Sequence, residues 1–348
     1  MEEKLFYHAV AVAAHGDYHA IKKQCAATGC SATKNWKTIY ERLKRNDPFL
    51  PDPEREFGRL EQLDIHVALP SSDAYPERLR HIPHPPFGIY VRGAIAAAAA
   101  NLLTLAIVGT RRASGEGKKT ARDFARELAG AGFTIASGLA FGIDAAAHEG
   151  CLDGGAPTIA VLACGLDRIY PQSHEALAQK ILARGGALIS EYPPGEEPFG
   201  YRFIERNRII IGISRGALIV EAPESSGALA TARYAAEQNR DLFVVPGSVN
   251  APNFKGSHTL IRQGAELVTS SNDILEAYDI IRQENPPAPP GVTAEEIIIL
   301  KALDDISAAA DVDKLAAMTK LEPRIVNRTL SFLILRGIVK ESDGGYTI

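Results

Sequence analysis

The sequence has little of what membrane-bound or secreted proteins need. No apolar run approaches the roughly 20 residues of a membrane-spanning helix, and the alanine run at 96–100 is far shorter. The first residues are acidic, whereas a secretory signal begins with basic ones. No CxxC pair or secreted-type disulfide framework is formed by the four cysteines, Cys25, Cys30, Cys151 and Cys164. We therefore expect a cytoplasmic protein without a membrane partner.

Metal and catalytic signatures are also missing. The spacing of His15, His19, Cys25 and Cys30 fits no common zinc pattern. There is no HExxH motif, no carboxylate pair spaced for acid–base catalysis and no Cys/His nucleophile. A GxSxG match at 212–216 follows a predicted helix and precedes a predicted strand, whereas a nucleophile elbow needs the order strand, turn, helix. The sequence predicts no metal, no cofactor and no enzymatic activity.

An excess of positive charge is missing as well. The chain has 38 Lys and Arg against 42 Asp and Glu, a formal net charge of −4. This balance disfavours broad, sequence-independent coating of duplex DNA, which depends on many basic side chains. A binding site for a polyanion must therefore be local, built from a few arginines and backbone amides.

The order of the patterns predicts an α/β fold in four segments. Residues 1–62 are helical and polar, typical of a small, separate N-terminal helical module. Residues 63–283 alternate short β-rich runs with helices, which predicts an extended Rossmann-like, mainly parallel sheet. A proline-rich linker at 284–291 precedes a winged helix at 292–348, predicted from three helical patterns and a hairpin. We expect the strands of the sheet at 103–108, 133–136, 158–162, 187–189, 217–220, 242–245 and 266–268.

The first candidate binding turn is Gly109, Thr110 and Arg111. It directly follows a buried strand, and a helix begins near Glu116. Ligands of open α/β sheets bind at such strand ends, where helix N-termini present amides and partial positive charge. Gly109 permits a tight turn, and Arg111 offers a planar fork to phosphate oxygens. A plain turn with solvated arginines is the alternative.

Two nucleotide-binding motifs are excluded in the same segment. A Walker A loop needs a glycine and a hydroxyl where this sequence has Arg112 and Lys119. The dinucleotide fingerprint needs a third glycine where Thr120 stands. The turn therefore belongs to neither nucleotide-binding class.

A second turn contains Ser137, Gly138 and Gly142, and it also leads from a strand into a helix. It predicts another anion cradle beside the first. Asp144 follows in the first helical turn, where an acidic residue more often stabilises the helix dipole than serves as an acid or base. His148 is more typical of a buried helix histidine than of a catalyst.

Two further segments contribute candidates. Arg206, Asn207 and Arg208 stand at the head of an apolar helix, and the two arginines point to different faces, so that one can hold a ligand while the other braces the loop. Phe203 is either a platform on which a base stacks or a core-filling aromatic. Downstream, a phosphate contact or simply a helix cap is predicted for Ser226, Gly227 and Thr231.

Taken together, these motifs resemble the DNA-processing protein A family (DprA, also called Smf). The resemblance covers about residues 70–283. It rests on seven segments in the same order: AIVGTRRAS, ASGLAFGIDAAAH, TIAVLACGLDRIYP, SEYPPG, FIERNRIIIGIS, IVEAPESSGALATARYAAEQNRDLFVVPGS and GSHTLIRQGA. Each segment alone is moderately specific, whereas the ordered set is highly specific.

The resemblance implies a homodimer that binds single-stranded DNA, protects incoming DNA and loads the RecA recombinase in natural transformation and recombination. It implies that Arg111 grips the DNA, with Thr110 in the place of the family's usual serine. A lysine of the family falls at Gly200, and Arg202 is the expected substitute.

The main alternative is a nucleotide- or nucleoside-processing hydrolase on the same Rossmann-like scaffold. The lysine-decarboxylase-like phosphoribohydrolases, which this sheet also resembles, carry a PGGxGTxxE signature with a catalytic glutamate. The equivalent stretch here, 221–231, has no such glutamate. A further alternative makes the winged helix a regulator of duplex DNA. Residues 284–348, which contain it, have 7 basic and 10 acidic residues, and this balance disfavours that role and favours protein contacts.

Overall fold

The computed structural model describes residues 2–27, 35–95, 103–280, 293–306, 309–342 and 345–347. The chain divides into two compact units, Met1–Arg282 and Gln283–Ile348. The predicted proline-rich linker lies outside the described residues.

Within the described residues, the first unit is built on a nine-stranded sheet with the order β1-β2-β6-β5-β4-β3-β7-β8-β9. The strands from β3 onward run parallel, while β1 and β2 are antiparallel additions at one edge. The strand bounds are β1 His66–Ala68, β2 Ile89–Gly93, β3 Thr104–Val108, β4 Thr134–Ser137, β5 Thr158–Leu162, β6 Ala187–Ser190, β7 Gly216–Ile219, β8 Asp241–Val244 and β9 Glu266–Leu267.

The seven strands predicted from the sequence agree with β3 to β9 to within one residue at either end. Every residue of β3 is buried, and so is every residue of β4 to β7. Strands that helices cover on both faces have no solvent side, so they appear as short continuous apolar runs. This composition is what made the strands predictable, and the α/β class with a mainly parallel sheet is confirmed.

The strand order reverses direction at one point of the sheet, between β3 and β7. From β3 the chain builds β4, β5 and β6 to one side, then crosses back to add β7 on the other side. The loops that leave β3 and β7 therefore diverge and open a crevice at their carboxyl ends. Ligands of open α/β sheets bind in such a crevice.

Helices pack on both faces of the sheet, and two that border the later site begin with a side-chain cap. Ser114 accepts from the amide of Gly117 to cap the helix Gly115–Gly130, and Ser226 accepts from that of Ala228 to cap the helix Gly227–Glu237. The helices of the first unit are α1 Glu2–Ala13, α2 Tyr18–Ala27, α3 Trp36–Asn46, α4 Pro53–Gln62, α5 Glu77–Arg80, α6 Gly115–Gly130, α7 Ile143–Asp153, α8 Glu175–Ala183, α9 Gly200–Gly212, α10 Gly227–Glu237, α11 Lys255–Arg262 and α12 Ser271–Ala277.

The N-terminal helices do not form the separate module that their polar composition predicted. Tyr7 and Trp36 are buried in one apolar cluster with Leu188 of the sheet. The Tyr7 hydroxyl donates to the carbonyl of Gly88 over 3.0 Å, and His8 Nδ1 lies 2.9 Å from the hydroxyl of Tyr90. A few large aromatic side chains thus join residues 1–62 to the sheet, and a mean polarity does not reveal them.

The second unit contains three helices and a hairpin within its described residues. The order matches the prediction: α13 Ala294–Ile306, α14 Val312–Thr319, α15 Pro323–Leu335, β10 Lys340–Ser342 and β11 Gly345–Thr347. The two strands pair antiparallel. Its own small core contains Ile299, Leu315, Val326 and Leu333.

Candidate functional site

A pocket of about 590 Å³ opens in the crevice beyond β3 and β7. Its walls come from the turns after these strands and from the first half of α9. The predicted site residues that line it are Gly109, Thr110, Arg111, Phe203, Arg206, Asn207, Ser226, Gly227 and Thr231. The lining does not include Ser137, Gly138, Gly142, Arg202 or Arg208.

The turn after β3 is tightly packed beneath and open above. A Cβ on Gly109 would lie 2.5 Å from the Ile143 side chain and 3.0 Å from the carbonyl oxygen of Glu221, so only glycine fits there. The side chain of Arg111 is exposed, and its guanidinium lies 4.4 Å from the ring centroid of Phe203. No carboxylate among the described residues forms an ion pair with Arg111. The pocket therefore keeps one unneutralised, stacked guanidinium on its wall.

Glu221, at the end of β7, holds this turn in place. Its buried carboxylate accepts from Ser114 through the amide at 3.0 Å and the hydroxyl at 2.5 Å, and from the side-chain amide of Asn253 at 2.9 Å. Its backbone carbonyl accepts from the amide of Thr110 over 2.8 Å. That amide is thus unavailable to a phosphate, contrary to the prediction that it cradles one. Glu221 is a residue that sequence reasoning did not identify as functional. The available signal is a glutamate that follows an apolar strand.

The second turn supports the first from below, and of residues 137–142 it is Ala140 that lines the pocket. Ser137 is fully buried and donates to the carbonyl of Ile107 over 2.7 Å. The amide of Gly138 donates to the Asp144 carboxylate over 3.0 Å. Gly142, with φ +80°, packs against the carbonyl of Thr110. The Ser137 hydroxyl and the Gly138 amide are therefore used within the fold, which disfavours the predicted anion cradle at this turn.

Asp144 is the acidic side chain among the residues that line the pocket. Its carboxylate accepts from the amides of Gly138 at 3.0 Å and Ala140 at 3.5 Å. Burial raises the pKa of Asp144, and the neighbouring Arg206 guanidinium opposes that rise. These bonds fix the turn that leads into α7, a structural role different from the helix-dipole role considered for this residue.

Arg206 is a brace within the fold. Only 4% of the residue is exposed, and its guanidinium donates to the carbonyls of Gly138, at 2.9 Å, and Val161. Its Nε donates to the side chain of Asn207 over 3.2 Å. Burial lowers the pKa of Arg206 to about 10. Arg206 reaches the pocket wall, but its Nε and Nη1 donors already have partners.

Arg202 and Arg208 are also structural, so their predicted contacts with DNA phosphates are wrong. Arg208 is buried, donates to the carbonyl of His84 over 2.7 Å and pairs with Glu191. Arg202 pairs with Glu196 over 2.8 Å, and its side chain is only 4% exposed. Long side chains near a helix start can reach backbone carbonyls on neighbouring elements, and sequence spacing does not show this.

Phe203 and α10 complete the walls. The half-buried ring of Phe203 lies 5.5 Å from that of Tyr170, a pocket residue that sequence reasoning missed. Thr231 is buried, and its hydroxyl lies 3.5 Å from the carbonyl of Gly227. Ser226 caps α10 and lines the pocket at once. The N-terminus of α10 and its partial positive charge therefore face the cavity.

Neither a metal centre nor a membrane span is found in the described part of the chain. No group of three or more His, Cys, Asp or Glu side chains there is placed to hold a metal ion. None of the helices there is both long and apolar enough to cross a bilayer.

Fold and site together define an α/β protein with a basic, aromatic pocket at the switch point of its sheet. The model of the family called DNA recombination-mediator protein A matches residues 66–279. The chain therefore belongs to this family, as the seven ordered segments predicted.

Curated relatives agree with this membership. Protein Smf of Escherichia coli is 44% identical over 251 residues, 71% of this chain and 67% of its own length. A protein of Mycobacterium tuberculosis named "Putative DNA processing protein DprA" is 41% identical over 249 residues, 70% of this chain and 64% of its own length. The chain thus spans about two thirds of these relatives.

Two solved structures share the architecture. DNA processing protein A from Streptococcus pneumoniae superposes with a TM-score of 0.62 at 32% identity, covering 79% of this chain and 92% of that one. DNA processing protein A from Helicobacter pylori gives a TM-score of 0.54 at 30% identity, covering 61% and 95%. The Helicobacter pylori protein has a single-stranded DNA binding mode described as unique.

Proposed function

We propose that this chain binds single-stranded DNA in the pocket beyond β3 and β7. The observation that carries the proposal is the stacked pair on the pocket wall. The guanidinium of Arg111 lies 4.4 Å from the ring centroid of Phe203 and has no ion-pair partner among the described residues. A free guanidinium binds a phosphate through two parallel hydrogen bonds, and an aromatic ring stacks a base. One nucleotide offers both groups.

A single strand suits the pocket better than a duplex does. Few basic groups in the cavity lining are available to a ligand. Arg206 donates to carbonyls of the fold, whereas Arg111 and Arg112 are exposed. Binding to duplex DNA draws its affinity from many phosphate contacts. An unpaired base can leave its neighbours and enter a cavity of about 590 Å³. Likeness to the Helicobacter pylori protein supports the same substrate.

The phosphate track in this proposal runs over the turn after β3 and the N-terminus of α10. Arg111 and Arg112 border one side, while Ser226 and Gly227 border the other. A Cβ built on Gly227 would meet nothing within 4 Å, so a ligand can approach the backbone closely there. Asn207 and Thr231 also line the pocket.

We further propose the cellular role that family membership suggests. The protein acts in the cytoplasm as a homodimer, protects incoming single-stranded DNA and loads the RecA recombinase during natural transformation and recombination. The second unit is a winged helix that makes protein contacts, because it has no basic excess. Arg324 and Arg328 share one face of α15, and they are the candidate residues of this unit for a contact with DNA.

The test is a binding titration of the full chain with a single-stranded oligonucleotide and with the matched duplex across a salt series. We expect much tighter binding of the single strand, with an affinity that falls moderately as salt rises because few counterions are released. Equal affinities for the two forms, or no binding at low salt, would overturn the proposal.

One observation favours the hydrolase alternative, namely the presence of the Asp144 carboxylate in the pocket lining. Its oxygen already accepts from two amides of its own turn, so a general-base role would require those bonds to break. We expect no hydrolysis of ATP, NAD or nucleoside monophosphates by the purified chain. Turnover that disappears in Asp144→Asn or Glu221→Gln would establish the enzyme instead.

A further inference from the structure

Exposed apolar side chains concentrate around the pocket. Nine large hydrophobic residues described in the first unit are exposed. Five of them line the pocket or directly neighbour a lining residue in sequence: Phe141, Tyr170, Phe199, Tyr201 and Ile204. Single exposed hydrophobic residues are ordinary on a protein surface, whereas such a concentration marks an interaction site.

Phe199 and Tyr201 form the most regular part of this surface. Their side chains flank Gly200 at the start of α9, and Gly200 and its neighbour Pro198 line the pocket. The two rings are nearly parallel, at 5°, with centroids 6.1 Å apart. The residues are 47% and 55% exposed. Water therefore reaches two parallel aromatic rings beside residues that line the pocket.

A buried cation supports these rings from the protein side. The guanidinium of Arg202 lies 5.0 Å from the ring centroid of Phe199 and 5.9 Å from that of Tyr201. Since its own side chain is only 4% exposed, the rings and their neighbours cover it. A guanidinium within about 6 Å of a ring centroid is attracted to the π-system.

Arg202 is itself held rigidly. It donates to Glu196 Oε2 and to the carbonyl of Glu197, both at 2.8 Å, and to the carbonyl of His15 at 3.1 Å. The fixed guanidinium restricts the rings that pack on it, so little side-chain entropy remains to be lost when a ligand binds. Preorganisation of this kind is how a small exposed surface gains affinity.

We propose that Phe199 and Tyr201 form a second base-stacking platform, which extends the single-stranded DNA track outward from Phe203. Arg202 is a positioning residue beneath it. The inference rests on the proposed function, because the platform adjoins the pocket and its occupant is the next unpaired base of the same strand. Bases fit it better than a protein partner does, since flat aromatic faces beside a phosphate-binding arginine match the alternation of base and phosphate. Stacking would make this contact tolerant of sequence.

The experiment uses the full chain and two oligomers of roughly 16 nucleotides, at the upper end of typical single-strand site sizes. One is oligothymidylate, and the other has the same sugar–phosphate backbone without bases. The Phe199→Leu/Tyr201→Leu variant keeps apolar cover over Arg202 but loses both rings. We expect it to bind oligothymidylate roughly 5- to 100-fold more weakly and the abasic oligomer with unchanged affinity. Phe49→Leu is the matched control, since Phe49 is 95% exposed and does not line the pocket.

Arg111→Ala separates this inference from the proposed function, because it should weaken both oligomers. If Arg111→Ala weakens binding while the double variant binds oligothymidylate like the wild type, the platform is wrong and the proposed function stands. Equal weakening of both oligomers by the double variant would also overturn the platform, since the contact would not be to bases. If the wild type binds neither oligomer, the proposed function itself fails. The control is thermal unfolding. A midpoint temperature of the double variant equal to that of the wild type shows that its fold is intact.

Discussion

The turn after β3 and the helix α9 both bring arginines toward one pocket, yet they use them in opposite ways. Arg111 and Arg112 in the turn are exposed, and Arg111 touches an aromatic face. Arg202, Arg206 and Arg208 in α9 are 3–7% exposed and donate to carbonyls or carboxylates of the fold. The same residue type faces the ligand in one region and supports the fold in the other.

The difference teaches that arginine placement near a pocket does not by itself indicate binding. What matters is whether the five donors of a guanidinium already have acceptors. Turns at the carboxyl edge of a sheet leave a side chain free above the backbone. The arginines of α9 instead meet carbonyls and carboxylates of neighbouring segments and bond to them. Mutations of the α9 arginines should therefore change stability, and mutations of the arginines in the turn should change binding.

The largest effect is expected for Arg206→Ala. The substitution removes the donors for the carbonyls of Gly138 and Val161 and takes from the buried Asp144 carboxylate the stronger of the two arginine charges that stabilise it. Breaking a buried charge arrangement costs about 3–5 kcal/mol of unfolding free energy. Urea unfolding would measure it. A loss below about 1 kcal/mol, typical of a surface site, would mean that α9 is not the structural partner in this comparison.

Arg111→Ala should affect binding and leave the fold intact. We expect single-stranded DNA affinity to fall about tenfold or more, the value of a hydrogen bond to a charged group, and to fall equally for all sequences, since phosphate contacts carry no base information. The log–log salt dependence should become shallower by roughly 0.7, one released counterion on a single strand.

Fluorescence anisotropy across a salt series would measure this change, with thermal unfolding as the check on stability. Arg112→Ala is a matched neighbour in the same turn. Wild-type binding by Arg111→Ala, or failure only through unfolding, would make Arg111 structural and remove the contrast between the two regions.

Asp144 lies between the two regions and offers a test by pH. Burial raises its pKa above the ordinary value of 3.8, so the folded state keeps this proton to higher pH than the unfolded chain does. The contribution of Asp144 to stability is therefore present at low pH and is lost as pH rises through its folded pKa. Asp144→Asn lacks this loss and should gain relative to wild type as pH rises from about 4 to 7. Urea unfolding at several pH values checks the trend, and the opposite slope would contradict the assignment.

The smallest effect is expected from deleting residues 286–348. The deleted part contains most of the second unit, which is compact by itself and carries more acidic than basic residues. Single-stranded DNA affinity should stay within a few-fold of that of the full chain. A loss as large as that of Arg111→Ala would show that DNA binding is not confined to the first unit.

The sequence predicted the strands and the pocket residues of the turn after β3, because buried parallel strands leave apolar runs and turns leave glycines. It failed where polar groups find partners far along the chain. Ser137 bonds to Ile107, and Arg208 bonds to His84 and Glu191. No local pattern distinguishes these satisfied groups from free ones. The clamp made by Glu221 on Ser114 spans 107 residues and was missed for the same reason.

Sequence alone determined the α/β class, the strand positions and the family, because periodicity, turn chemistry and ordered motifs are all local properties. Tertiary structure alone decided which arginines are available to a ligand. It also decided that Tyr7 and Trp36 of the N-terminal helices pack with the sheet and that Phe199 and Tyr201 remain exposed over a buried cation. The physical reason is that burial and hydrogen bonding depend on contacts between elements that are distant in sequence. The strand order sets those contacts, and it exists only in the assembled sheet.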